Sequence, residues 1–441
     1  MEPNIILIVC DALRKDVLGL YGGPARTPNL KKFAKDAVVY DNCIAPSPWT
    51  FPSHVSLFTG LYLSEHGVHE SKNAKLMELT PLNKNFKAER LPTYLTKLGY
   101  STIGISNNIM VSRFTNFDNG FNNFFNIETD LMQSKEAKEA MKLGANFMQI
   151  VLMLVRKNRL NEIGKYFREL LKIQILSIAT NYPFNKGAKL TNEILFSTKL
   201  NPQFFLFINF MEMHEPYTRS KGEEGKLILD NFTGIKLINY GKVTKLKQKY
   251  IRAAENLDKN LGVLIEMLKD RNLYDNTMII ITSDHGQAFN EHGYMYHDNY
   301  LYEEITRIPL LIKYPNNEKF PKRDGYQSLV SIFGLIKNVL IGRDDKVLTK
   351  KVVFSESYGC NRNLPLSYKE RKKYVEAKYE KLRKAVYKDG FKLTINGTDG
   401  SIEEFSEHGI EKNLDRYKTK VKELILEIKK FNKDGNFKFP S

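Results

Sequence analysis

Cysteine is scarce: Cys10, Cys43 and Cys360 are the three in 441 residues. They form neither a disulfide framework nor a zinc-ligand spacing, which suits a reducing compartment. No run of eighteen apolar residues occurs, and the longest candidate, around Phe147 to Val155, is too short to cross a bilayer. The stretch Ile5 to Val9 is too short for a signal-peptide core and has the wrong flanks, so a cytoplasmic protein without export is expected. Internal repeats and low-complexity tracts are absent. Acidic residues are outnumbered, 50 against 67 basic ones, and the net charge of +17 favours polyanionic partners or an acidic membrane face. The interleaved aromatic and basic spacing of a nucleic-acid groove is missing, so nucleic acid is not the expected partner.

Hydrophobic residues make up 42% of the chain and charged ones 27%, the balance of a folded protein rather than a disordered one. Four short apolar runs, Asn4 to Cys10, Tyr100 to Ser106, Phe204 to Phe210 and Thr277 to Ser283, lead into polar residues, at once in three cases and, after Phe210, shortly later with His214. Strands apolar on both faces and separated by helical stretches predict an α/β fold: a mostly parallel central sheet covered by helices on both faces. One such helix is expected over Lys245 to Lys269, with Leu257, Leu261, Leu264 and Leu268 at helical spacing. Ligands in such sheets bind beyond the carboxyl ends of the strands, where Asp11, Asn108, His214, Asp284 and His285 would converge.

The expected division is a catalytic domain over 1–341 and a small C-terminal α+β subdomain over 342–441. In the latter, Val352 to Ser357 and Ala385 to Ile395 read as strands, and Tyr417 to Phe431 as an amphipathic helix. A basic helical insertion at about 130–200, with Arg156, Lys157 and Arg159 beside an apolar stripe, reads as a packed hairpin; a lid or a surface touching anionic lipid is the alternative.

The strongest local signal is Pro48-Trp49-Thr50-Phe51-Pro52-Ser53-His54, continuing to Thr59-Gly60. Thr50 falls at a helix N-cap and Pro52 in the first turn, where a missing N–H costs nothing. The positive end of that helix would also hold a bound phosphate or sulfate. In Thr282-Ser283-Asp284-His285-Gly286 a carboxylate and an imidazole leave a strand together. With Asp11 and Thr50 they suit one divalent metal ion, Mn, Zn or Mg, with Ca less suited because of the imidazole. That ion would activate the Thr50 hydroxyl as a nucleophile.

On these residues, together with His214-Glu215-Pro216-Tyr217, Glu291-His292-Gly293, Tyr302-Glu303-Glu304, Arg307-Ile308-Pro309-Leu310 and Gly390-Phe391-Lys392-Leu393, the chain resembles a sulfatase-like member of the alkaline phosphatase superfamily. Two departures stand out. Sulfatases carry Cys or Ser in C/S-x-P-x-R, matured to formylglycine, where this chain has Thr50, Pro52 and His54; and they follow the first aspartate with a second, where this chain has Ala12. A threonine nucleophile is similar to the phosphodiesterase and phosphoglycerol transferase branches.

The resemblance therefore implies a phosphodiesterase or phosphotransferase working through a phospho-Thr50 intermediate. It implies substrate contacts or leaving-group protonation from His214 and His297, a phosphate contact from Asn108, and His54 in the space of the missing arginine. A second metal is allowed, with His214, His297 and Glu212 as its ligands. The substrate implied is a small phosphorylated or sulfated ester, a lipid or glycan ester included. The alternatives are a sulfatase without formylglycine, and a non-catalytic protein binding anionic lipid or nucleic acid.

Overall fold

Every residue of the first strand, β1 (Asn4–Cys10), is buried, and its side chains alternate between two cores. Ile6, Ile8 and Cys10 enter one, and Ile5, Leu7 and Val9 the other, as the two-residue period of a strand dictates. A strand apolar on both faces can only sit inside a sheet covered on both sides.

The structure, a computed structural model, describes residues 2–69, 82, 86–126, 186–217, 240–297, 299–321, 323–359 and 381–440. Cys360 and most of the expected insertion at 130–200 lie outside them, apart from a helix at Ala188–Ser197.

After β1 the strands are β2 (Val38–Ile44), β3 (Ser101–Ser106), β4 (Asn123–Asn126), β5 (Phe204–Phe210), β6 (Thr277–Thr282), β7 (Ala288–Phe289), β8 (Met295–Tyr296), β9 (Arg307–Lys313), β10 (Tyr326–Ser328) and β11 (Thr349–Lys350). Nine of them form the central sheet, in the order β11-β10-β2-β9-β6-β1-β5-β3-β4. β6, β1, β5 and β3 are consecutive parallel neighbours, as read from their apolar runs, so their carboxyl ends share one rim. β9 runs against both of its neighbours and β11 against β10.

A helix at Tyr240–Asp270, longer than its leucine spacing alone indicates, seats Leu257, Leu261, Leu264 and Leu268 against the Ile6–Ile8 face. The helices Thr50–Thr59 and Ile332–Leu340 cover the opposite face through Phe51, Val55, Phe58, Ile332, Leu335 and Ile336. Burying each such side chain contributes ~1.5–3 kcal/mol, which fixes the sheet before any polar group is considered.

A second, antiparallel sheet follows: β12 (Val352–Ser357), β13 (Arg383–Lys388), β14 (Phe391–Asn396), β15 (Ile402–Glu407) and β16 (Ile410–Glu411). The helix Lys418–Phe431 packs on it through Val421, Leu424 and Ile428. The single strand expected over Ala385 to Ile395 is instead a hairpin. Asp389 (φ 52°) and Gly390 (φ 83°) both take left-handed conformations, the requirement of a tight two-residue turn between antiparallel strands.

Candidate active site at the carboxyl rim of the sheet

Thr50 is the first residue of its helix, not the expected N-cap: Trp49 holds the extended cap position, and its side chain makes no capping bond. The Thr50 hydroxyl is therefore free for other partners. It lies 3.3 Å from Asp11 Oδ2 and 3.3 Å from His285 Nε2, beneath a nearly closed surface.

Asp11 follows β1 and is wholly buried. Asn108, just past β3, donates its amide to Asp11 Oδ2 at 2.7 Å. Across the rim, Asp284 Oδ1 accepts the backbone N–H groups of Ala12 at 3.2 Å and His285 at 2.9 Å. His285 Nδ1 lies 2.8 Å from the Gly286 carbonyl, so it carries the proton and leaves the Nε2 lone pair facing Asp11 and Asp284, at 3.7 and 3.5 Å. Gly286 is obligatory: a Cβ there would meet the Glu304 carbonyl oxygen at 2.1 Å.

Two oxygens remain without a hydrogen-bond partner, Asp11 Oδ1 and Asp284 Oδ2, both in fully buried side chains. Ligand atoms of Asp11, Asp284 and His285 all lie within 4.8 Å of one another. Burial and the neighbouring Asp284 push the Asp11 carboxyl up. Burial acts the same way on Asp284, but His285, His54 and two backbone N–H groups outweigh it and hold that carboxyl low. Buried carboxylate oxygens without hydrogen-bond partners, beside an imidazole nitrogen, are an arrangement that a divalent cation satisfies. The residues present fit such an ion.

A second cluster adjoins the first. His214, Glu215 and His297 also bring ligand atoms within 4.8 Å of one another, and the His285 and His297 rings are 4.3 Å apart. His297 Nδ1 is 2.7 Å from Gln287 Oε1, and Gln287 Nε2 donates to Glu215 Oε2 at 2.9 Å. His214 Nδ1 sits 2.8 Å from the Glu215 carbonyl. Burial alone would lower His214, but Glu215 and Asp11 outweigh it and raise it.

Two expectations change. Glu212 does not join His214 and His297: its Oε1 accepts the N–H groups of Lys186 and Ala188 and caps the Ala188–Ser197 helix, so Glu215 is the third group. His54 does not face a substrate. It is fully buried between Phe117 and Phe207, with Nδ1 2.9 Å from the Thr50 carbonyl and 3.5 Å from Asp284 Oδ2, and Nε2 3.3 Å from Asn209 Nδ2. Asn108 donates one of its two amide protons to Asp11. Glu215, Gln287 and Asn209 were not singled out in the sequence; the one signal for Glu215 was its place beside His214 in the His-Glu-Pro-Tyr motif.

With this geometry in place, comparison with known proteins is informative. A family model described as Sulfatase matches residues 3–339. An N-acetylglucosamine-6-O-sulfatase of Bacteroides thetaiotaomicron is 23% identical over 367 residues, 71% of this chain and 63% of that protein. A sulfatase of Formosa agariphila is 23% identical over 484 residues, 98% of this chain and 87% of that one. Among solved structures, a 2-O GAG sulfatase superposes with a TM-score of 0.65 at 14% identity, covering 98% of this chain and 92% of the other. The phosphonate monoester hydrolase of Agrobacterium radiobacter gives 0.63 at 14% identity, covering 97% and 94%. The chain thus spans somewhat less than two thirds of the length of the first relative.

Proposed function

Because the chain belongs to the sulfatase family, whose model spans residues 3–339, we propose that it hydrolyses an anionic ester of a tetrahedral oxyanion, attacked by Thr50. Sulfate is the first substrate class, since the relatives carry sulfatase names far more often than any other. This reverses the ranking that the threonine alone suggested. The ester of a phosphorus oxyanion is the second reading, favoured by Thr50 in place of an aldehyde-forming residue and by the fold shared with phosphonate monoester hydrolases.

The observation that carries the proposal is the Thr50 hydroxyl held 3.3 Å from both Asp11 and His285, beside two unpaired carboxylate oxygens. Asp11, Asp284 and His285, with Thr50, would hold one divalent cation, Mn, Zn or Mg. When bound, that cation lowers the pKa of the Thr50 hydroxyl and neutralises charge on the ester's non-bridging oxygens. The remaining steps belong to the protein. Thr50 Oγ1 points its proton at Asp11 Oδ2, an oxygen that Asn108 keeps in place. His214, kept protonated to higher pH by Glu215 and Asp11, gives a proton to the departing alcohol oxygen, and His297, held by Gln287, contacts the oxyanion. By analogy with the names of its relatives, the alcohol is a glycan hydroxyl. A cytoplasmic setting at the face of an anionic membrane is part of the same proposal.

The two substrate classes differ after the first step. A threonyl phosphate is released by water at phosphorus, whereas a threonyl sulfate, lacking the adjacent hydroxyl through which a hydrated aldehyde expels sulfate, is released by water attacking sulfur only slowly, which returns the Thr50 hydroxyl and free sulfate. The Mn-loaded protein is mixed with p-nitrophenyl sulfate and, separately, with bis(p-nitrophenyl) phosphate. A burst of one nitrophenol per active site with sulfate, lost in Thr50→Ala, supports the first reading. Faster steady turnover of the phosphodiester makes the second the main one. Equal rates for wild type and Thr50→Ala on both esters would end the proposal.

A further inference from the structure

The C-terminal antiparallel sheet touches both halves of the site from behind. On the Thr50 side, the Glu356 N–H in β12 donates to the Pro46 carbonyl at 2.9 Å, just before the Thr50–Thr59 helix. The Glu356 carboxylate accepts from Ser64 N at 3.0 Å and Ser64 Oγ at 3.2 Å, just after it. On the other side lies the segment 299–306, which follows His297. There Lys392 Nζ in β14 donates to the Leu301 carbonyl and to Glu404 Oε2, the latter at 2.6 Å. The Arg383 guanidinium in β13 lies 4.2 Å over the Tyr300 ring and is gripped by Glu403. The Tyr387 hydroxyl meets Thr306 Oγ1 at 2.6 Å. Tyr300 packs edge-on against Tyr294 at 4.8 Å, and the Tyr294 hydroxyl donates to the His297 carbonyl.

We propose that Lys392 is a positioning residue: through Leu301, and with Arg383 and Tyr387, it fixes the backbone that carries His297 at a set distance from Thr50.

Two physical points support this. Arg383 and Lys392 are almost completely buried, at 0% and 1% exposure. An ammonium taken out of water gives no net stability over an apolar side chain of the same size, and what it supplies is a directional bond. For Lys392 that bond ends on a backbone carbonyl four residues from His297. Burial works against its charge, yet Glu404, Tyr387 and Glu303 keep the ammonium protonated. The same sheet grips Pro46 and Ser64, so its stiffness spans the gap between the nucleophile's helix and the histidine's loop. A loop held only by its own ends would let His297 drift.

The inference rests on His297 acting at the ester, and one readout is chosen to be independent of turnover. Histidine-selective 15N labelling of the whole chain, with the His297 signal assigned by His297→Gln, reports the imidazole directly. Lys392→Met is expected to shift or broaden the His297 signal and leave that of His66 in place. It is also expected to lower kcat roughly 10- to 100-fold, as misplacement of a catalytic group by about 1 Å does. KM on the p-nitrophenyl ester is expected to rise as well, because the displaced His297 is the group proposed to contact the bound oxyanion. Lys392→Arg, which keeps a donor, recovers most of both. If Lys392→Met does not fold, Tyr387→Phe removes one hydroxyl and no charge and is read in the same way. An unmoved His297 signal with unchanged kcat in folded protein would overturn the inference. A moved signal in a chain whose Thr50→Ala form is as active as wild type upholds the positioning and sinks only the proposed mechanism.

Discussion

At the residue scale, the site is a set of groups that folding alone leaves unsatisfied. Asp11 Oδ1 and Asp284 Oδ2 have no partner, although a buried carboxylate oxygen without one is costly. Those two aspartates, Thr50 and His285 could be read from the sequence because each sits at the end of an apolar run or the start of a helix, where the fold class itself places ligands. Glu215 and Gln287 could not, nor could the surroundings of His54. Their roles come from neighbours 72, 10 and 155 residues away, as in Glu215 with Gln287, Gln287 with His297, and His54 with Asn209. No local pattern encodes such partners. The expected consequence is thermal: Mn at about 100 times its dissociation constant should stabilise the fold by ~2.7 kcal/mol. A chelator should reverse this, and Asp284→Asn should abolish most of it. Differential scanning calorimetry with and without chelator checks it, and an identical Mn response in wild type and Asp284→Asn would exclude Asp284 as a ligand.

At the element scale, strands with two apolar faces were legible, and so was the one dipeptide, Asp389-Gly390, that turns a hairpin. β1 and β5 match their apolar runs end to end, because burial on both faces leaves no other use for such residues. β13 and β14 read as one strand only if that turn signal is passed over; Lys384 and Lys392 within them are buried on ion pairs. Lys384 Nζ lies 2.6 Å from Glu356 Oε1 and 2.7 Å from Asp434 Oδ2, with Lys384 and Glu356 fully enclosed. Removing one member of such a pair strands the other, so Lys384→Met should cost ~3–5 kcal/mol in urea unfolding. Adding Glu356→Leu to it should recover part of the loss, since the fully buried carboxylate is then gone and the remaining one, Asp434, is partly exposed. If the double variant is less stable than Lys384→Met, the Glu356 bonds to Ser64 matter more than the stranded charge.

At the scale of the whole molecule, the nine-stranded sheet brings Asp11, Thr50 and Asp284 together from positions far apart in the chain, and the order of its four central strands decides which side chains meet. That order was not written in any single run; it follows from parallel packing with helices on both faces, and only the convergence of the strand ends was predictable. Net charge acts at this scale too. With +17 spread over the chain, and with the anionic ester proposed above as substrate, the long-range field should draw that ester inward before any contact is made. Salt shortens that reach from about 20 Å at about 0.02 M to about 6 Å at about 0.3 M, so kcat/KM for p-nitrophenyl sulfate should fall roughly three- to tenfold over that range. The rate at saturation should hold nearly constant, because the bound ester sits among groups too close to be screened. The uncharged ester p-nitrophenyl acetate, used as a control, should show no such slope. An equal slope for both esters would mean that salt acts on the fold or the metal, and that the excess of lysine and arginine plays no part in capturing the substrate.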